Sequence, residues 1–330
     1  MTLLVEVADV PVFATASRTW TWSDVFLAAR LWGEWDGLLE ATRPATAPPE
    51  AVKQAGRDWR VARRLIAGDE LKAWLAGRNL TLADWNDYIR RAIGVRPAGA
   101  APQPDVLWAQ GACSGTWDGV SERLSARAAA WEDAGAPTAP GPPPPAWFAQ
   151  MPPAPDAEQI GIAGPTVALR AEQLWSAEAA FARLCATAAA SDAVASAVTA
   201  HNVDWLRVDC DWLEAGDVNV AREAALLARV DGLALPEVAQ RAGLPLDPRR
   251  IYVGDLDAAL QPALMSAAPG DLIGPLSLGN GGGPWLLACV RDKVVPTLDD
   301  PDIRARAEDA VVGAAVRRAV EQHVSWHEHD

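Results

Sequence analysis

The sequence predicts an α+β protein, mostly helical, with one small unit in which helices and strands are mixed. Three observations carry this. Apolar residues recur at helical spacing behind Thr-x-x-Asp capping patterns at Thr21 and Thr81. Leu206, Val208, Cys210 and Trp212 alternate with Arg207, Asp209 and Asp211, the period of a half-buried strand. Thirteen of the 26 prolines fall between Pro97 and Pro165 and separate the two regions.

In order along the chain, Leu3 to Val12 reads as short strands or extended backbone. Thr21 to Asp24 opens a helix that carries Val25, Ala29, Trp32, Trp35 or Asp36, and Leu39 up to the Pro44 to Pro49 break. A second helix starts near Glu50, with Val52, Ala55, Trp59, Ala62 and Ile66 along its stripe, and a short third holds Leu71, Trp74 and Leu75. Thr81 to Asp84 caps a fourth, whose buried side is Leu82, Trp85, Ile89 and Ala92 or Ile93. Tryptophans on such stripes belong in a core; a Trp-lined groove is the alternative. Residues 96–165 read as a linker or insertion. The run 137–155 is expected to be a polyproline-like spacer, because proline fixes φ and donates no hydrogen bond. One helical island, 121–134, puts Leu124, Ala128 and Trp131 on one side.

Beyond the linker, Val167, Leu174, Phe181, Leu184 and Ala188 mark a long helix, and Ser191-Asp192 starts another that runs to about His201. The strand at 206–212 follows. Then come a helix from Asn219 to Val230, a short helix from Pro236, a strand at 250–253, a helix at 257–266, a turn at 268–271, and strands at 272–276 and 285–290. Residues 205–291 thus read β-α-α-β-α-β-β. Asp300-Pro301 opens a last long helix with Ile303, Ala307, Val311, Ala314 and Ala315 along one side.

A formal net charge of −14 repels phosphate backbones and anionic bilayers, and no Lys/Arg cluster is read as reversing it, so neither a nucleic-acid nor a membrane partner is expected. The opening residues lack a basic segment ahead of an apolar run, which reads as cytoplasmic. Cys113, Cys185, Cys210 and Cys289 are dispersed, without metal or disulfide spacing, and read as reduced and structural; no cofactor is expected.

The segment from Ala221 to Val290 resembles the parvulin (PpiC-type) prolyl isomerase domain. Ser266-Ala-Ala-Pro-Gly270, Asp271-Leu-Ile and Gly274-Pro275 look like the family's turn and "G-P" strand, and Val238-Ala239 like its "F-x-x-L-A" helix. The capped N-terminal helices and the terminal helix are similar to the chaperone part of SurA-like foldases, in which both chain ends build one domain. Residues 81–85, 204–207 and 296–301 resemble segments of cytosolic peptide-maturation proteins encoded near ribosomal natural-product genes. The resemblance implies a helical domain at 1–95, the linker at 96–165, a helical arm at 166–204, a parvulin-like domain at 205–295, and a C-terminal helix at 296–330 that packs on the N-terminal domain.

Prolyl isomerisation must overcome an amide barrier of about 18 to 20 kcal/mol, and an apolar pocket that prefers the twisted amide can lower it without a nucleophile. By resemblance, Leu256 and Leu260 take the family's Met and Phe pocket positions; Met265 and Trp285 complete the candidate peptide-binding set. The family's two histidines have no counterpart: Trp285 stands at the last-strand position and no His lies in 208–212. The expected function is therefore a peptide-binding chaperone with a degenerate isomerase domain, holding an extended or proline-containing precursor peptide for tailoring enzymes. The first alternative is an active prolyl isomerase using Asp209 or Cys210 with Tyr252. The second is a metal-dependent protein built on His323, His327 and His329, where the i,i+4 pair would share a face of a continuing helix.

Overall fold

The computed structural model describes residues 3–136, 160, 162, 167–278 and 284–327. The spacer expected at 137–155, the connection 279–283 between the last two strands of the second unit and His329 lie outside the described residues. The chain divides into two units, Met1–Thr187 with Ala314–Asp330 and Ala188–Gly313. Together they make an α+β fold, mostly helical, with two small antiparallel sheets.

In the first unit the opening residues are helical rather than extended: Leu4 and Val7, one turn apart on α1 (Leu3–Val7), are both buried. Strand β1 (Pro11–Ala14) follows, and β2 (Thr19–Thr21) pairs with it. Asp24 then closes the first cap as its spacing predicts, accepting the Thr21 N–H at 3.0 Å and an Arg18 N–H at 2.7 Å. The single helix expected over 21–39 is two, α2 (Trp22–Leu31) and α3 (Glu34–Ala41), because Gly33 takes a φ of 77° that a continuing helix does not allow. Helices α4 (Pro49–Ala62), α5 (Gly68–Ala76) and α6 (Leu82–Ile93) form where their stripes predict, but on α4 the stripe holds only as far as Trp59: Ala62 is exposed, and Ile66 lies past the helix end and is exposed too. On α6, Trp85 and Ile89 are buried, while Leu82 and Ile93 are exposed and the Arg91 guanidinium goes inward to Gln110.

Within the expected linker, α7 (Leu107–Ser114) and α8 (Thr116–Asp133) form a helical hairpin whose Trp108, Trp117, Val120, Leu124, Ala128 and Trp131 join the main core. The proline count misled here, since the prolines of 97–104 precede the hairpin and those after 136 follow it. Helix α9 (Val167–Ala188) packs Ala171, Leu174, Ala177 and Ala180 into the same core. Rings meet at close range in it: Trp22 and Trp108 at 4.9 Å and Phe26 and Trp117 at 5.2 Å, both edge-on.

The second unit begins with α10 (Ser191–Ala200) and β3 (Arg207–Ala215). Asp217 caps α11 (Val218–Arg229), accepting the Asn219 N–H at 2.6 Å. Next come α12 (Leu235–Ala242), β4 (Leu246–Tyr252), α13 (Gln261–Ser266), β5 (Leu272–Ser277) and β6 (Trp285–Val294). The sheet runs β4-β3-β6-β5, antiparallel throughout. Alternation gives it two apolar faces. Val208, Cys210, Trp212, Leu286, Ala288 and Val290 pack with Leu260 and Leu264; Leu213 and Leu287 pack under Ala224, Ala225, Val238 and Ala239 of α11 and α12. Helix α14 (Pro301–His323) starts in this unit, where Ile303 and Ala307 are buried, and ends in the first. There β7 (Ser325–Trp326) pairs with β1, so the first sheet reads β2-β1-β7. No single helix among the described residues is long and apolar enough to cross a membrane.

Candidate functional site

The first unit carries an aromatic cleft made of two hollows that share Trp22 and Asp118. One, of about 340 Å³, is bordered by Val7, Val10, Trp108 and Trp117 with Arg78; the other, of about 280 Å³, by Val12, Ser121, Glu122, Trp326 and His327. The elements explain the wall. The α7–α8 hairpin is held by the Trp117 indole N–H donating to the Trp108 carbonyl at 3.1 Å, and the Trp108 N–H donates to the Arg78 carbonyl at 2.8 Å. Both indoles therefore present only carbon to the space. Trp326 projects from β7, an edge strand, with 47% of its surface exposed and its ring 5.4 Å from Phe13. Ser121 is 4% exposed and its hydroxyl has no partner among the described residues. A buried hydroxyl left unpaired costs free energy. Asp118 and Glu122 make the rim acidic, with Arg78 3.8 Å from Asp118. Apolar walls, an orphaned hydroxyl and an open strand edge suit an extended peptide. The stripes put Trp35, Trp59 and Trp85 in a core, where they lie; Trp22, Trp108 and Trp117 are core residues that no stripe marked, and nothing local in the sequence joins Val7, Trp22, Ser121 and Trp326.

The parvulin-like residues are distributed differently from the resemblance. Leu260, 5% exposed, and Leu256, half-buried beside it, belong to the Val208–Cys210–Val290 face. Met265 is 43% exposed and contributes its carbonyl to Lys293 Nζ at 2.7 Å. Trp285 is half-buried opposite Ala215 and, by alternation on β6, falls on the Leu287 side. The structure thus joins Leu256 with Leu260 and puts Trp285 on the other face of the sheet. A hollow next to α13, bordered by Arg229, Ala263, Ala267 and Asp271, includes none of the four.

The polar candidates are split by the same alternation. Cys210 shares the leucine face, fully buried, and burial pushes its thiol up to about 11, so it holds its proton. Asp209 points the other way, 3.4 Å from Arg207 and 3.7 Å from Arg250, while Arg207 also reaches Asp300 at 3.1 Å. Tyr252, opposite Arg207 on β4, lies on that side too. Burial, then the charges of Asp302 and Asp300, raise its phenol, and Arg306 sits 3.9 Å over its ring. An isomerase site drawing on Asp209 or Tyr252 together with Leu256 and Leu260 would need groups from both faces of one sheet, so these residues do not form one site. The one histidine of this unit, His201, stacks on Trp205 at 4.7 Å.

The C-terminal histidines do not form the expected pair either. The helix ends at His323, whose ring is 3.5 Å from Asp133, and His327 lies beyond β7 with its N–H donated to Val12. The chain turns into a strand between them, so the i,i+4 face does not form. No group of three metal-binding side chains occurs among the described residues. The expectation that no Lys/Arg cluster breaks the acidic surface also fails: Lys53, Arg57 and Arg60 of α4 and Arg90 of α6 border a cleft of about 420 Å³.

No family model matches the chain, and no curated protein matches it. Among solved structures it is similar to the peptidylprolyl isomerase PrsA from Bacillus anthracis, at 10% identity and a TM-score of 0.29, over 63% of this chain and 96% of that one. It is also similar to PrsA from Bacillus subtilis, at 13% identity and a TM-score of 0.23, over 70% and 90%. Chains that superpose this loosely share too little for a residue role or an activity to pass between them.

Proposed function

We propose that this protein is a peptide-binding chaperone of the foldase type, which holds an extended, apolar or proline-containing segment of another polypeptide in the aromatic cleft of its first unit. The observation that carries the reading is the cleft itself, where Trp22, Trp108, Trp117 and Trp326 surround space beside the unpaired Ser121 hydroxyl and the edge strand β7. Burying roughly 300 Å² of a peptide's apolar surface there is worth about 7 kcal/mol before the cost of ordering it. The affinity is then no tighter than micromolar, which suits transient holding. The acidic rim favours neutral or basic segments. The second unit, with its parvulin-like order of elements, is read as a degenerate isomerase domain, and the client as a ribosomally made precursor peptide presented to tailoring enzymes in the cytoplasm.

Calorimetric titration of the full chain with extended peptides tests this. An apolar peptide flanked by lysines binds, its glutamate-flanked counterpart binds more weakly, and Trp326→Ala weakens the first about tenfold, the loss of one aromatic contact worth roughly 1.4 kcal/mol. Unchanged binding by Trp326→Ala sinks the reading. A prolyl isomerisation assay run alongside addresses the enzymatic alternative: acceleration abolished by Leu260→Ala and Asp209→Ala would replace a holding function with a catalytic one.

A further inference from the structure

The cationic cleft between α4 and α6 stands apart from the aromatic one and plays no part in the function proposed above. Lys53, Arg57 and Arg60 occur at i, i+4 and i+7 on α4 and therefore share a face, and Asn86 and Arg90 face them from α6 over the ring of Trp85. No carboxylate borders this space of about 420 Å³. Arg60 is engaged with the Leu65 and Ile66 carbonyls, and Arg90 with Asp87. The side chains of Lys53, Arg57 and Asn86 have no hydrogen-bond or ion-pair partner among the described residues. In a chain of net charge −14, a cleft with two unpaired cations and no acid is a local reversal of the field.

We propose that the α4–α6 cleft binds an acidic segment of an extended polypeptide, with carboxylates on alternate residues set against Lys53 and Arg57. The spacing argues for a chain rather than a compact oxyanion. Four residues of helix rise about 6 Å, close to the roughly 6.6 Å between alternate side chains of an extended strand. A carboxylate at each end of that interval meets one cation, the Asn86 amide is free to meet the intervening backbone, and the Trp85 ring with the Val52 side chain covers the apolar parts of the segment.

The test is calorimetric titration of the full chain at low salt with a capped peptide of alternating Ala and Glu, the same peptide with Gln for Glu, and tripolyphosphate. The Glu peptide binds and the Gln peptide does not; added salt weakens the binding, because exposed charges are screened. The double variant Lys53→Gln/Arg57→Gln lowers the affinity about tenfold, while Arg57→Lys largely restores it on the Lys53 background. Trp326→Ala leaves it unchanged, and that variant's separate loss of lysine-flanked peptide keeps failure of one cleft distinct from failure of the other. Equal binding of Glu and Gln peptides, no binding of either, undiminished binding by the double variant with unchanged circular dichroism, or tighter binding of tripolyphosphate than of the peptide each overturns the proposal.

Discussion

Side chains in this protein are often decided by what surrounds them rather than by their chemistry in solution. Cys210 sits in the strand pattern as an apolar residue would, and burial pushes its thiol up to about 11; Cys113, whose carbonyl accepts the Trp59 indole N–H, is pushed up to about 12. Only the thiolate is an effective nucleophile, and access matters as much as ionisation. With iodoacetamide at about pH 8.5, Cys113 and Cys210 of the native protein therefore stay unmodified while the half-buried Cys185 and Cys289 are alkylated, which peptide mass mapping resolves. Rapid labelling of Cys210 would mean that the leucine face of the sheet is open, and would return that face to consideration as a binding site. Burial of Cys210, Trp59 and Trp85 was legible from their place in a periodic run. Burial of Arg91 was not, since it depends on the Gln110 side-chain amide oxygen, which accepts its Nε–H at 3.1 Å from a different helix.

Elements were legible wherever a local signal sets them. The fourth capping pattern residue of α6 behaves as its spacing implies: Thr81 Oγ1 accepts the Asp84 N–H at 3.2 Å and Asp84 accepts the Thr81 N–H at 2.8 Å. Because α6 supplies both the Trp85 core contact and the Arg90 wall of the cationic cleft, its start has functional weight. Thr81→Ala removes an exposed cap without touching either, and is expected to cost about 1 kcal/mol in denaturant unfolding; Thr81→Ser should recover most of it. A Thr81→Ala variant as stable as the parent would show that packing alone holds this helix end. Where elements were misread, the deciding partner was distant. Leu3 to Val7 is helical because Leu4 and Val7 reach a core that includes Leu107 and Trp108, and the α7–α8 hairpin is drawn into that core although prolines flank it on both sides.

At the scale of the whole molecule, the aromatic cleft was illegible because α8 contributes four of the residues that border it, α7 two, and α1, α2 and β7 one each, and no window of sequence contains them together. The order of elements in the second unit was legible, since strands and helices there follow one another closely; the distribution of its candidate residues over two sheet faces became visible only with the register of β3 against β4 and β6. The apolar clusters carry a further consequence. The largest draws its residues from the first unit alone, and the other three draw theirs from the second. Units with separate cores have separate reasons to stay folded, and a cavity made in one is felt there first. Leu124→Ala in α8 and Leu264→Ala in α13 each empty a fully buried position and are expected to cost about 2 to 5 kcal/mol. Urea unfolding should then proceed in two steps, with Leu124→Ala moving one midpoint and Leu264→Ala the other, followed by tryptophan fluorescence for the Trp-rich first unit and by amide exchange for the sheet of the second. A single transition shifted equally by both substitutions would show instead that the two cores fold as one cooperative structure, and holding a client in the first unit would then draw on the stability of the second.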